Sequence, residues 1–367
     1  MSWNDVKLDE VILFKNGKKR PIGTGKFPVY GGNGILGYAD SPNNRNCVIV
    51  GRVGAYCGSV YYEDGDCWVS DNAICALPKG ENDIIFLYYL LKSLELNKRH
   101  IGTSQPLLTQ EILNSIVCKI PAKDTQFKIG RLLRTLDEKI AVNQKINDNL
   151  EQQAQFYFQE LFVDNASPEW TTGTISDLGT VVGGSTPSKS KPEYYTESGI
   201  AWITPKDLSI NKSKFVSHGE NDITELGLKN SSAAIMPEGT VLFSSRAPIG
   251  YIAIAAGEVT TNQGFKSVVP KPEIGTPFVY FFLKNTLPVI EGMASGSTFK
   301  EVSGSTMKNV PAVIPDAETL AKFSDFCAPI FEQQRTLEEQ NQSLAKLRDS
   351  LLPKLMSGEI DASGVQL

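Results

Sequence analysis

Residues 122–162 read AKDTQFKIGRLLRTLDEKIAVNQKINDNLEQQAQFYFQELF, and residues 316–358, 194 positions later, repeat the same apolar spacing. In the first stretch Ile129, Leu136, Asn143, Leu150 and Tyr157 recur every seven residues, with Leu133, Ile140, Asn147, Ala154 and Leu161 between them. In the second, Phe323, Ile330, Leu337, Leu344 and Leu351 alternate with Cys327, Gln334, Asn341, Arg348 and Leu355. A seam repeating every seven residues points to paired helices; two ordinary amphipathic helices are the plainer alternative, because several positions are polar. Asn147 and Asn341 fall at equivalent places, where a buried amide fixes register at a cost in stability. Pro329 reads as a break between a short leading helix and a long one, and Gly358 as the stop of the last helix. A helix of about 35–40 residues spans roughly 50–60 Å. An antiparallel pair would hold a module at each end, related by internal pseudo-twofold symmetry.

The repeat extends upstream. Trp3, Leu8 and Val11 match Trp170, Ile175 and Leu178, and a glycine follows at the same distance, Gly17 and Gly184. Val48-Ile49-Val50-Gly51-Arg52 matches Val241-Leu242-Phe243-Ser244-Ser245-Arg246. Val69-Ser70-Asp71-Asn72-Ala73 matches Thr260-Thr261-Asn262-Gln263-Gly264. From Gly102-Thr103-Ser104, opposite Gly296-Ser297-Thr298, one offset of 194 runs on without gaps. The chain therefore divides into a strand-rich α+β module at 1–121, a helical segment at 122–162, a second module at 163–315, a second helical segment at 316–358 and a tail at 359–367.

Composition narrows the class. The 367 residues are 41% hydrophobic and 21% charged, as in a soluble globular protein of two or three domains. The longest fully apolar run, Ile84 to Leu91, is far short of the roughly 18–20 residues a membrane span needs, so no membrane partner is expected. The polar opening Met1-Ser2-Trp3-Asn4-Asp5 does not read as a signal peptide, and a cytoplasmic protein with reduced, buried thiols is expected. No Cys-x-x-Cys occurs and only His100 and His218 are present, so no metal is expected. The formal charge of -5 at first argues against a nucleic-acid partner. Its distribution argues otherwise: the first module is +1, the first helical segment neutral, the second module -2 and the remainder -4. Most of the negative excess lies on the helices and tail, so near-neutral modules would supply sequence choice more than affinity.

Catalytic motifs are missing. Gly32-x-Gly34-x-x-Gly37 has the spacing of a dinucleotide fingerprint, but a turn rather than a helix follows it. Gly183-Gly184-Ser185-Thr186-Pro187-Ser188-Lys189 lacks the ending of a phosphate loop, and no Gly-x-Ser-x-Gly elbow appears. What remains is polar and basic chemistry on turns. Lys15, Lys18, Lys19 and Arg20 cluster in the first module, and Lys98 and Arg99 precede Ser104 and Gln105. In the second module Ser185, Thr186, Lys189 and Lys191 occupy the corresponding place, with Lys206 and Lys300 further along. Such clusters are either solvated faces or phosphate contacts. Arg52 and Arg246 each end an apolar strand at a glycine-rich turn. There an arginine either forks onto guanine O6 and N7 or ties the turn through backbone carbonyls. Asn72, Asn262 and Gln263 either read adenine or satisfy turn backbone.

Together these residues resemble the DNA-specificity subunit of type I restriction-modification enzymes, over essentially the whole chain. Phe27-Pro28-Val29-Tyr30-Gly31-Gly32-Asn33-Gly34-Ile35-Leu36-Gly37-Tyr38 resembles one signature of its target recognition domains. Leu178-Gly179, Gly183-Gly184-Ser185-Thr186-Pro187-Ser188 and Ala201-Trp202-Ile203-Thr204-Pro205-Lys206-Asp207-Leu208 resemble another. Gln333-Gln334-Arg335 through Ser350-Leu351-Leu352-Pro353-Lys354-Leu355-Met356 and on to Gly358-Glu359-Ile360 resembles the family's second helical spacer. The resemblance implies two target recognition domains separated by an antiparallel, coiled-coil-like helix pair. Each domain would read half of a bipartite, asymmetric sequence in double-stranded DNA. Two methyltransferase subunits would supply S-adenosylmethionine chemistry at adenine N6, and two motor-endonuclease (restriction) subunits would complete the complex. This chain would hold no cofactor and be non-catalytic. Tyr30, Asn33, Trp202, Ser245 and Thr298 join the candidate DNA-binding residues. Two rivals are a coiled-coil adaptor that reads no DNA and an enzyme with an unfamiliar site.

Overall fold

The computed structural model of the chain describes residues 3–21, 23–102, 104–296, 300–362 and 364. It divides into two units, Met1–Ala141 with Asn341–Leu367, and Val142–Gln340.

In the first unit a short strand, β1 (Asn4–Lys7), leads into a single helical turn, α1 (Leu8–Val11), which drops Leu8 and Val11 into the core. There follow β2 (Ile12–Asn16), β3 (Phe27–Gly31), β4 (Gly34–Ala39), β5 (Asn44–Gly51), β6 (Val60–Val69), β7 (Ala73–Pro78), α2 (Ile84–Ser93), α3 (Gln110–Ser115) and β8 (Val117–Ile120). β1 pairs antiparallel with β8, and the other six strands form one sheet in the order β2-β7-β5-β6-β3-β4. Side-chain alternation decides its faces. Val48 and Val50 join Ile74 and Ala76 on the main core, while Cys47 and Ile49 join Ala73 and Cys75 on the other side. Phe86, Leu87, Leu90 and Leu91 of α2 cover the main face, with Asp83 capping the helix by accepting from the Phe86 amide at 2.7 Å. Ile129 and Leu133 of the long helix α4 (Lys123–Gln159) complete the cover. Each such buried Leu or Phe contributes about 1.5–3 kcal/mol. Leu355, Met356 and Ala362, from the chain's other end, close the same core. Gly358 ends the last helix at φ +79°, and a Cβ there would lie 2.6 Å from the indole nitrogen of Trp3.

The second unit repeats the plan. β9 (Thr171–Thr174) leads into the turn α5 (Ile175–Leu178), which buries Ile175 and Leu178. Then come β10 (Gly179–Gly183), β11 (Tyr195–Thr196), β12 (Ile200–Ile203), α6 (Pro205–Ile210), β13 (Phe215–Val216), β14 (Asn221–Ile223) and α7 (Glu225–Lys229). β15 (Val241–Ser245), β16 (Ile249–Ala255), β17 (Thr260–Thr261), β18 (Lys266–Pro270), α8 (Thr276–Gly292), α9 (Gly304–Lys308), β19 (Pro311–Ile314) and α10 (Ala317–Ser357) follow. β9 pairs with β19 as β1 does with β8. The main sheet runs β10-β18-β15-β16-β13, matching β2-β7-β5-β6-β3, and a second sheet, β11-β14-β12-β17, is added. Val241 and Phe243 face one core and Leu242 the other. Phe158 of α4 packs with Phe278 of α8 and Phe323 of α10, each ring centroid 5.8 Å away.

Within each unit α4 and α10 run antiparallel. In the first, Asp137 Oδ1 lies 2.6 Å from Arg348 Nη1 and the Ile140 carbonyl accepts from Asn341 Nδ2 at 3.4 Å. In the second, Asn143 pairs with Gln340 and Asn147 with Gln334. All twenty seven-residue-repeat positions are buried or half-buried. Pro329 breaks nothing: α10 passes through it as one helix, which corrects the sequence expectation. Proline is costly in a helix because it removes one backbone bond. Here Pro329 lies on the exposed face with Asp325, while Cys327, Ile330 and Phe331 are buried and hold the helix in place.

Candidate nucleic-acid interface

The candidate residues sit where strand ends and turns converge. In the first unit the chain leaves β2 at Gly17, which is pressed against the β6–β7 turn. A Cβ there would fall 1.9 Å from the Ser70 carbonyl oxygen, so only glycine fits. Lys18 then donates its amide to the Val69 carbonyl at 3.0 Å. The Arg52 amide bonds the Asn72 carbonyl at 2.9 Å, and the Arg52 carbonyl accepts from Leu108 at 2.8 Å. Gly32, in the hairpin between β3 and β4, approaches Val53, Tyr56 and the Asn72 carbonyl. Arg52, Asn72, Asn33 and Lys18 are thereby collected at one end of the sheet. Lys15, Lys18, Lys19 and Arg20 are exposed, and among the described residues none has an ion-pair partner. Arg20 instead donates to the Leu36 carbonyl at 2.6 Å. Arg52 is half-buried, and its Nε has no hydrogen-bond partner among the described residues. Lys98 is paired with Glu95, Arg99 donates to the Leu94 carbonyl, and Ser104 and Gln105 are exposed in a hairpin closed by the Ile101–Leu107 bridge.

The second unit builds a cleft of about 660 Å³ on the equivalent frame. Gly184 is pressed against the Asn262 carbonyl as Gly17 is against that of Ser70, again 1.9 Å from a Cβ. The Ser185 amide donates to the Thr261 carbonyl as that of Lys18 does to Val69. Thr186, Lys189, Trp202, Lys206, Arg246, Asn262 and Gln263 all line this cleft. Thr186 hydrogen-bonds Gln263 across it. Thr204 caps α6, its amide and hydroxyl both donating to Asp207 Oδ2, while Asp207 Oδ1 accepts from the Glu220 amide at 2.9 Å. That fixes Glu220, whose carboxylate meets Lys206 Nζ at 2.6 Å and pushes its ammonium pKa up. Arg246 Nη1 lies 3.4 Å from Glu301. Asn262 spends its side-chain oxygen on the Gly264 amide at 2.8 Å, the turn-satisfying role.

Some candidates are not brought to the surface. Tyr30 is 8% exposed and donates to Glu63, and Trp202 is 6% exposed and donates to the Ser185 carbonyl. Ser245 is fully buried and donates to the Gly264 carbonyl. Trp202 and Ser245 brace the turns through these bonds, Trp202 showing the cleft only a small part of its ring, while Tyr30 ties β3 to β6. Lys191 pairs with Glu193 outside the cleft, Lys300 is exposed beside it in sequence only, and Thr298 lies outside the described residues.

Two correspondences shift by a residue: Val69, Ser70 and Ala73 answer to Thr261, Asn262 and Phe265, not to Thr260, Thr261 and Gly264, and the strand-end arginines do not coincide. The amide of Ser245, not of Arg246, bonds Gly264 as Arg52 bonds Asn72, and Ser245 O accepts from Val302 as Arg52 O does from Leu108. Arg246 therefore occupies the place of Val53. β15 carries no extra residue: Val241 to Ser245 keep one register on β18, as Val48 to Arg52 do on β7, so the two arginines stand one position apart on matching strands. The sequence reading missed Glu220, Glu301 and Lys266. For Glu301 a signal existed: the gapless offset of 194 sets it opposite Leu107, a charge where the first repeat is apolar.

The family model described as "Type I restriction modification DNA specificity domain" matches residues 1–152 and 168–346. The type I restriction enzyme MjaIX specificity subunit of Methanocaldococcus jannaschii is 38% identical over 192 residues, covering 52% of this chain but only 44% of that protein. The HindI specificity subunit of Haemophilus influenzae is 26% identical over 373 residues, covering 80% and 79%. The crystal structure of a type I restriction-modification system S subunit from M. genitalium matches at a TM-score of 0.67 and 19% identity, over 97% of this chain and 96% of that one, a likeness of fold.

Proposed function

The chain belongs to the type I restriction modification DNA specificity family, and from that premise we propose that each unit reads one half of a bipartite, asymmetric sequence in double-stranded DNA. The observation that carries this reading is the convergence of Thr186, Lys189, Lys206, Arg246 and Gln263 on one cleft, over a turn framework the first unit repeats at Lys18, Arg52 and Asn72. Exposed lysines and hydroxyls fix register on phosphates, and a few side chains discriminate base edges at about 1–3 kcal/mol per bidentate pair. The length of the helix pair sets how many base pairs between the half-sites go unread. The chain is non-catalytic and works in the cytoplasm. Two modification subunits hold S-adenosylmethionine and methylate adenine N6 after flipping the base, and two restriction subunits complete the complex.

The test is methylome sequencing of cells expressing this chain with its modification subunits. A bipartite motif is expected, and exchanging residues 1–121 for those of another family member should change one half only. Both halves changing, or no motif at all, overturns the proposal.

A further inference from the structure

The bridge between a strand end and the returning hairpin is the same in both units but carries opposite chemistry. In the first unit it joins Val53 to Leu107, and in the second it joins Arg246 to Glu301. The hairpins close alike, Ile101 on Leu107 and Ser295 on Glu301. An apolar pair has thus been exchanged for an ion pair on an unchanged backbone. The two oxygens of Glu301 divide between two cations, Arg246 Nη1 at 3.4 Å and Lys266 Nζ at 3.6 Å. Arg246 lines the cleft, and Glu301 is not among its lining residues.

We propose that Glu301 is a positioning residue that sets the ligand preference of Arg246, turning it from phosphate toward the neutral acceptors of a guanine edge. The proposal rests on the DNA-reading function above and deepens it. A guanidinium carries five N–H donors. One spent on Glu301 leaves enough for a bidentate pair to guanine O6 and N7. A phosphate brings a full negative charge toward the same carboxylate and is repelled, whereas a base edge is not. Lys206, the cleft's other paired cation, meets Glu220, which itself lines the cleft. The basic cluster of the first unit has no such partner among the described residues.

The test uses the full-length chain and random-sequence duplex DNA, titrated over a range of salt. Glu301→Gln should raise affinity about fivefold and steepen the logarithmic salt slope by about 0.9, one added phosphate contact. Glu301→Asp and Lys266→Ala should behave as the unmodified chain, and Glu301→Gln in an Arg246→Ala background should add nothing. In cells carrying the modification subunits, Glu301→Gln should relax the methylated motif at a single guanine-containing base pair. The double variant Arg246→Val with Glu301→Leu, which installs the first unit's apolar pair, guards against misfolding and should relax the same position. Unchanged or weaker random-duplex binding by Glu301→Gln, or a gain that persists without Arg246, overturns the proposal. A motif absent already from the unmodified chain instead overturns the DNA-reading function.

Discussion

Asn147 and Gln334 exchange hydrogen bonds across the helix pair: Asn147 Nδ2 donates to the Gln334 carbonyl at 3.4 Å and Gln334 Nε2 to the Asn147 carbonyl at 3.2 Å. The repeat makes the first of these twice. Asn341, 194 residues after Asn147, donates to the carbonyl of Ile140, 194 residues before Gln334. Each bond ties one helix to a fixed level of the other, and a one-turn slip of about 5.4 Å would break both.

Replacing both amides with leucine should therefore trade specificity for stability. Asn147→Leu with Asn341→Leu is expected to raise the thermal midpoint while yielding mixed association states by light scattering. A single monodisperse species with an unchanged midpoint would show that the amides do not set register.

Arg246→Ala should weaken binding to the cognate sequence roughly tenfold to a hundredfold, the worth of one bidentate base contact, and leave random-sequence binding nearly unchanged. Equal loss on both DNAs in a filter-binding titration would assign Arg246 to phosphate contact or to folding.

Glu151 is the anionic centre of a buried cluster with Lys214, Lys284, Tyr280 and Gln334. Burial disfavours its charge, but the two ammoniums outweigh burial and hold the carboxyl down at about 2. Burial is also the main influence on Lys214, lowering it to about 8 against the pull of Glu151. Glu151 thus adds stability that is complete above 4.5 and lost as pH falls toward 2. Lys214 costs stability that is recovered as pH rises from about 8 to 10.5. The two effects oppose each other at neutral pH, as expected for a buried ion pair whose desolvation offsets its attraction. In urea unfolding, the stability gap between the unmodified chain and Glu151→Gln should shrink between pH 4.5 and 2. Parallel curves would remove Glu151 from the acid transition.

Gly17→Ala and Gly184→Ala each drive a methyl into a backbone carbonyl. Each should destabilise its own unit by about 1–3 kcal/mol and degrade a different half of the methylated motif. Loss of both halves from either substitution would count against independent units.

The repeat was legible in the chain because its offset of 194 runs gapless through both helical segments, and apolar side chains at seven-residue spacing have one efficient way to be covered. What the spacing did not hold was local geometry. Matching arginine to arginine hid that Arg246 stands one place beyond Arg52 on strands that run in step. Tyr30 and Trp202 stand in short strands, β3 and β12, too brief for alternation to show which face is covered. Pro329 marked a break that did not form, since buried neighbours on one side of α10 outweighed a backbone bond lost on the other.

The first unit draws Leu355, Met356 and Ala362 from the far end of the chain, whereas residues 142–340 form the second unit without interruption. On the ribosome this inverts the usual order, in which domains fold from the N-terminus onward. Residues 142–340 can close while synthesis continues, but the first 141 residues wait until residues 355–362 have been made. During that interval Leu8, Ile129 and Leu133 lack part of their final cover, so nascent chains halted between residues 340 and 355 would have a finished second reader and an open first one.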